Sequence, residues 1–143
     1  ITIFGPISGA HFNPTVTVAM LIAKKITAKD AIIFIILQIL GAGLGVLIAH
    51  GMFELDIFQI SSKSRQGASQ GFSEIIATFG LILVIFGGLK LRSEAIPALV
   101  GIYITSAYWF TASTSFANPA VTLARSLSDT FAGINPSNII MFI

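Results

Sequence analysis

The sequence predicts an all-α membrane protein built on an inverted repeat, and three observations predict it. Of 143 residues, 55% are hydrophobic and only 10% charged, with a mean hydropathy of +0.91. The charges cluster, leaving long apolar windows. An Asn-Pro motif also occurs twice in matching contexts, at Asn13-Pro14 and Asn118-Pro119, with three apolar spans between the copies. A soluble domain carries about a quarter charged residues, so this composition does not cover a water-exposed surface. Windows of this length are the membrane signature.

The first span is expected at about residues 31–53, which is 23 residues. At ~1.5 Å per residue it crosses a hydrocarbon core of ~30 Å. Gln38 is its one strongly polar interior residue, and Gly41 and Gly45 form a GxxxG face suited to close helix packing. The second span is expected at about 71–89 and contains Glu74. The third is expected at about 96–112 and ends in Tyr108-Trp109-Phe110, aromatics that suit a membrane interface or line a vestibule.

Basic residues orient the spans. If the spans alternate, Lys24, Lys25, Lys29, Lys90 and Arg92 share one side, and Lys63 and Arg65 the other. The larger group belongs in the cytoplasm, so the loop Glu54–Gln70 faces outward. The chain begins at Ile1 without Met and ends in the apolar stretch Asn138–Ile143, so both ends are expected to be cut. No cysteine is present, which excludes disulfides and thiol chemistry. The small net charge of +2 gives no reason to expect a nucleic-acid partner.

Two further apolar segments, at about 14–24 and 119–128, are too short to span and read as re-entrant half-helices. They are copies of one another. Aligning Ser8–Ile22 with Ser113–Leu127 gives six identities in fifteen positions, with the shared core Asn-Pro-x-Val-Thr-x-Ala. Three intervening crossings put the second copy on the opposite side, so the half-helices enter from both faces and meet near the midplane. Proline suits the first helical turn, where its missing N–H is not needed. Asn suits the N-cap before it. Asn13 and Asn118 thus each start a half-helix of ~15 Å whose N-terminus carries roughly half a positive charge. An electropositive centre repels cations, hydronium included. The Asn amides are expected to donate to a passing oxygen. Gly9-Ala10-His11 before one motif and Ser115-Phe116-Ala117 before the other are expected to expose carbonyl oxygens to a wet cavity.

This pattern resembles the aquaporin family of major intrinsic proteins. Ser8-Gly9-Ala10-His11-Phe12-Asn13-Pro14 looks like the family's first Asn-Pro-Ala loop, with Thr15 in place of Ala, and Phe116-Ala117-Asn118-Pro119-Ala120 looks like the second. Gln38 matches a glutamine of the family's third helix and Glu74 a glutamate of its fourth. The resemblance covers essentially the whole chain as one channel domain, 1–143, and implies a right-handed helical bundle. It also implies that the first span and most of the second and sixth are missing, and that the subunits form a homotetramer in a bacterial inner membrane. It implies passive flux of water or small neutral solutes, with ions and protons excluded. Gln38 and Glu74 are implied as loop supports, Glu74 by accepting backbone N–H groups of the second loop. For His11 two readings stand: lining the cytoplasmic half of the pore, or packing to hold the loop.

The resemblance also implies a filter at the outer mouth, whose usual arginine directly follows the second Asn-Pro-Ala. Here that position is Val121. Counting back from Asn118 without gaps puts other filter positions at Ser106 and Ser115. Small Ser and Val residues imply a pore wider than a strict water filter, open to polyols or undissociated metalloid hydroxides such as arsenite. The stretch Tyr108–Val121 also looks like a bacterial subgroup linked with arsenic detoxification. Glycerol facilitators usually carry Arg-Asp where this chain has Val121-Thr122, so that subclass is not assigned. Arg125 lies four residues after Val121, on the same face one turn deeper. Either it reaches up to replace the lost charge, or it pairs with Asp129 or caps carbonyls.

Other classes fare worse. An ion-coupled secondary transporter also uses inverted repeats and broken helices, but Glu74 alone is thin support for coupling. No nucleophile–base or metal constellation points to an enzyme. His11 and His50 are far apart and lack a carboxylate cluster, so no metal or cofactor is expected.

Overall fold

The computed structural model describes residues 1–143, which fold into helices and loops without a strand. In chain order the helices are α1 (Gly5–Ser8), α2 (Pro14–Ile22), α3 (Ala28–Met52), α4 (Ala68–Leu91), α5 (Ile96–Phe110) and α6 (Pro119–Arg125). Short 3-10 segments occupy Ser93–Ala95 and Pro136–Phe142.

Helix ends depart from the apolar windows for local reasons. α3 begins before its window because Thr27 caps it: the Thr27 Oγ1 accepts from the Asp30 N–H at 3.1 Å and donates to the Asp30 carboxylate at 2.7 Å. α5 stops at Phe110, where Thr111 turns extended. The 3-10 turn in front of α5 restores length, so Ser93–Phe110 together rise roughly 28 Å. α2 stops at Ile22, and Lys24 then takes a left-handed φ of 55°. α6 stops at Arg125 because the outer loop captures the next residue: the Ser61 N–H donates to the Ser126 carbonyl at 2.9 Å.

α3 is apolar all round. Only Ala31 and His50 are buried, while Ile32, Ile36, Leu40, Leu44 and Ile48 are exposed along one face. With α4 it is long and apolar enough to cross a membrane. The larger buried apolar cluster joins Val16 and Met20 of α2 to Ala77, Leu81 and Ile85 of α4 and to Ala117 in the loop before α6. α5 lies close along α4 because Gly80 leaves room for Tyr103, whose hydroxyl donates to the Ala77 carbonyl at 2.9 Å.

α3 measures the depth of both short helices. Its start follows the C-terminus of α2 through a five-residue turn. Near its other end, the His50 Nε2 lies 3.0 Å from the Ser128 hydroxyl, just beyond α6. Between them, Gln38 bonds to the loop that starts α2. The C-termini of α2 and α6 therefore lie toward opposite ends of α3, and their N-termini meet between.

Candidate functional site

Asn13 and Asn118 cap α2 and α6 and then reach across to each other's loop. The Asn13 side-chain amide donates to the Ala117 carbonyl at 2.6 Å, and the Asn118 amide donates to the Phe12 carbonyl at 2.9 Å. Each side-chain oxygen accepts from its own helix's first turn. Asn13 takes the Thr15 N–H at 2.9 Å, and Asn118 takes the Ala120 and Val121 N–H groups at 3.1 and 3.3 Å. An Asn amide has two N–H donors. One is therefore committed to the opposite loop, and only the other is left for a passing oxygen.

The repeat extends to the backbone. The aligned pairs Gly9 and Thr114, Ala10 and Ser115 have φ of 72° and 64°, 52° and 51°. Three of these four residues are not glycine, and the left-handed region costs such residues about 1 kcal/mol or more each. Symmetric bonds hold the turns. The Thr17 and Thr122 hydroxyls, both fully buried, donate to the Asn13 and Asn118 carbonyls at 3.1 and 3.0 Å. Symmetry fails two positions on, at Phe12 and Ala117, where only Ala117 is left-handed, with φ of 45°.

Each loop is pinned from a long helix by a group of the matching polarity. Gln38 of α3 donates to the His11 carbonyl, and to the Thr17 hydroxyl at 2.9 Å. Glu74 of α4, buried, accepts the Phe116 N–H at 3.0 Å and the Ala117 N–H at 2.7 Å. With their N–H groups turned to Glu74, these peptides present their carbonyls the other way. The Ala117 carbonyl meets Asn13, while the Gly9, Ala10 and Phe116 carbonyls accept no hydrogen bond within the chain.

The two Asn residues border a cavity of about 350 Å³. Ala10, Ser115, Phe116, Ala117, Val121 and Arg125 line it beside them, opposite an apolar wall of Leu81 and Ile85 from α4 and Val100 and Ile104 from α5. The Ser115 hydroxyl is buried and has no partner. Tyr108, Ile1, Phe12 and Val16 complete the lining. A second cavity of about 440 Å³ lies against α3, and Phe12 and Val121 border both.

Several expected site residues lie elsewhere. Ser106 is exposed and donates to the Ile102 carbonyl at 2.9 Å. Val100, Ile104 and Tyr108 repeat every fourth residue on the cavity face, which puts Ser106 on the opposite side of α5. Residues 111–117, between α5 and Asn118, form an extended, turned loop rather than helix. His11 borders the second cavity with Gln38 and packs edge-on to Phe34, ring centroids 5.7 Å apart. Ala120 also borders the second cavity, and Thr15 a third near Glu74. Gly9 lines none of the three, and Pro14 and Pro119 serve as first-turn residues.

Arg125 settles one alternative. It does not pair with Asp129, whose carboxylate accepts instead from the Ser62 N–H and hydroxyl, both at 2.8 Å. Its guanidinium carbon lies 4.2 Å from the Phe116 ring centroid. Since α6 runs outward from Asn118, Arg125 lies one turn nearer the outer end than Val121, not deeper. One contributor, Ile104, escaped the sequence reading. Tyr108 faces the cavity while Trp109 is 85% exposed, so the aromatic run divides between the two expected roles. Ile104 was signalled only by its helical spacing from Val100 and Tyr108.

Comparison with known proteins agrees with this geometry. The family model for major intrinsic proteins matches residues 1–143. Aquaglyceroporin AqpS of Rhizobium meliloti is 50% identical over 143 residues, covering the whole chain and 61% of that protein. Aquaporin-5 of Ovis aries is 30% identical over 85% of this chain and 52% of its own length. An aquaglyceroporin of Toxoplasma gondii is 28% identical over 90% of this chain and 50% of its own. The chain thus spans about half to three-fifths of the length of these relatives, and it belongs to the major intrinsic protein family.

Proposed function

We propose that the chain forms most of a passive membrane pore for water and small neutral solutes, wide enough for polyols or undissociated metalloid hydroxides such as arsenite. The observation that carries this reading is the reciprocal crossing of Asn13 and Asn118 beside the cavity. It leaves one amide donor on each half-helix cap, facing an apolar wall. A neutral oxygen compound exchanges hydrogen bonds with that polar stripe, with the Ser115 hydroxyl and with the free carbonyls. A cation finds helix N-termini and donors instead of a full shell of oxygens, so its desolvation is not repaid.

Val121 sets the width at the filter position, and Ser115 adds a small polar wall. Ile104 takes the place first given to Ser106. Gln38 and Glu74 hold the loops in their strained turns. Likeness to an aquaglyceroporin at 50% identity supports solutes larger than water. The assembly is a homotetramer in a bacterial plasma membrane, each subunit carrying its own pore. The coupled-transporter reading weakens, because both oxygens of Glu74 are already occupied by backbone N–H groups.

Val121→Arg tests the filter. In proteoliposomes of the full-length protein, permeability to polyols larger than glycerol is expected to fall about tenfold or more while water permeability falls far less. Equal flux of the larger polyols in the variant and the parent sinks the assignment of width to Val121.

A further inference from the structure

Val121 leaves the usual filter position without a charge, yet two guanidiniums meet on the ring of Phe116, which lines the same cavity as Val121. Arg65 arrives from the outer loop, 56 residues away in sequence. Its Nε donates to the Gly133 carbonyl at 2.8 Å, its Nη1 to the Ser113 carbonyl at 3.2 Å and the Thr114 hydroxyl at 3.4 Å, and its Nη2 to the Phe131 carbonyl at 3.2 Å. Four donor contacts fix the planar guanidinium in place. Its backbone N–H is held as well, by the Asn138 side-chain oxygen at 3.0 Å. The guanidinium carbon sits 4.8 Å from the centroid of Phe116, the ring that Arg125 approaches at 4.2 Å.

The two charges are therefore no more than about 9 Å apart, within a Debye length of each other. Like charges at that range repel, and two features offset the repulsion. The negative face of the aromatic ring attracts both cations. Three backbone carbonyls and a hydroxyl solvate Arg65. Phe116 and Arg125 both line the cavity. The ring is itself held by the bond from its backbone N–H to Glu74.

We propose that Arg65 and Arg125, held on the Phe116 ring, form a cationic constriction one turn outside Val121 that sets charge selectivity at the outer mouth. It rests on the pore reading given above. Arg125 meets the solute. Arg65 is a positioning residue: it ties the segment Ser113–Thr114 to Phe131–Gly133 and adds a fixed field behind the ring. The width set by Val121 and the charge set by these arginines are then separate, so the mouth admits bulky neutral hydroxyl compounds and still turns cations away.

The test uses the full-length protein in proteoliposomes, with methylammonium as the cationic probe and urea as a neutral probe of similar size. Arg125→Gln and Arg65→Gln are each expected to raise methylammonium influx about tenfold relative to urea influx, the scale of losing one fixed charge at close range. Arg65→Lys is expected to retain most of the cation exclusion. Arg125 makes no side-chain hydrogen bond within the chain, so Arg125→Gln reports even if Arg65→Gln misfolds. Unchanged methylammonium influx in Arg125→Gln overturns the proposal. A parallel fall of both probes in Arg65→Gln, not rescued by Lys, assigns that residue a structural role only and overturns its part. Lack of urea flux in the parent protein strikes the neutral-pore reading instead, and leaves the methylammonium comparison readable.

Discussion

Glu74 shows how one side chain fixes the strained loop beside Asn118. Its two oxygens take two adjacent N–H groups that the surrounding apolar residues do not satisfy. Glu74→Gln leaves one acceptor oxygen in place of two, so one buried N–H loses its partner, at about 1–3 kcal/mol. The expected outcome is a lower Tm in detergent and reduced solute flux, since the Phe116 and Ala117 peptides are freed to rotate. An unchanged Tm argues against this role. Asp129 behaves differently, because it is exposed just beyond α6, where it meets Ser62 of the outer loop. The hydrogen bond from the Ser62 N–H, then that from its hydroxyl, holds the carboxyl below the ordinary range. A depressed folded pKa gives stability that is present above the unfolded value of about 3.9 and lost as pH falls through the folded pKa. The outer loop is thus expected to stay protease-resistant down to about pH 4 and to loosen below it. Ser62→Ala, which deletes one of the two bonds, should move that loosening to higher pH.

Among the elements, the half-helices were legible in the sequence because their signal is local. Asn-Pro followed by an apolar run states both the cap and the first turn, and the structure starts α2 and α6 at those prolines. Hydropathy marked the apolar lengths of α3 and α4 but missed their polar ends, which caps and turns decide. The gapless alignment that named Ser106 carries no information on helix face, and the structure turns the Val100, Ile104 and Tyr108 face of α5, not Ser106, to the cavity. Arg65 was invisible for a different reason: its partners lie 48 to 68 residues away and depend on two loops folding together. The α4–α5 contact was equally hidden, since Gly80 among apolar residues does not announce what packs on it. A Cβ there collides with the Tyr103 ring. Gly80→Val is expected to force α5 outward and cost about 1–3 kcal/mol of stability, read as a lower Tm, whereas the same change at Gly43, which faces open space in this chain, should cost less.

At the scale of the whole molecule, the inverted repeat accounts for the site. Two loops with nearly the same dihedrals meet N-terminus to N-terminus, and each Asn closes the other's loop. The centre is consequently donor-rich and nearly symmetric, while the outer mouth is not: Ser115, Phe116 and Arg125 align with Ala10, His11 and Met20, which differ in chemistry, and only Val121 keeps its counterpart, Val16. The most direct measurement of this account is stopped-flow flux through the purified full-length protein in liposomes, for water, glycerol and arsenite, with and without a proton or sodium gradient, alongside an internal pH dye. The predicted result is flux of all three that does not saturate, needs no gradient and carries no proton leak. Flux that saturates and depends on an ion gradient, or a proton leak that scales with water flux, contradicts it.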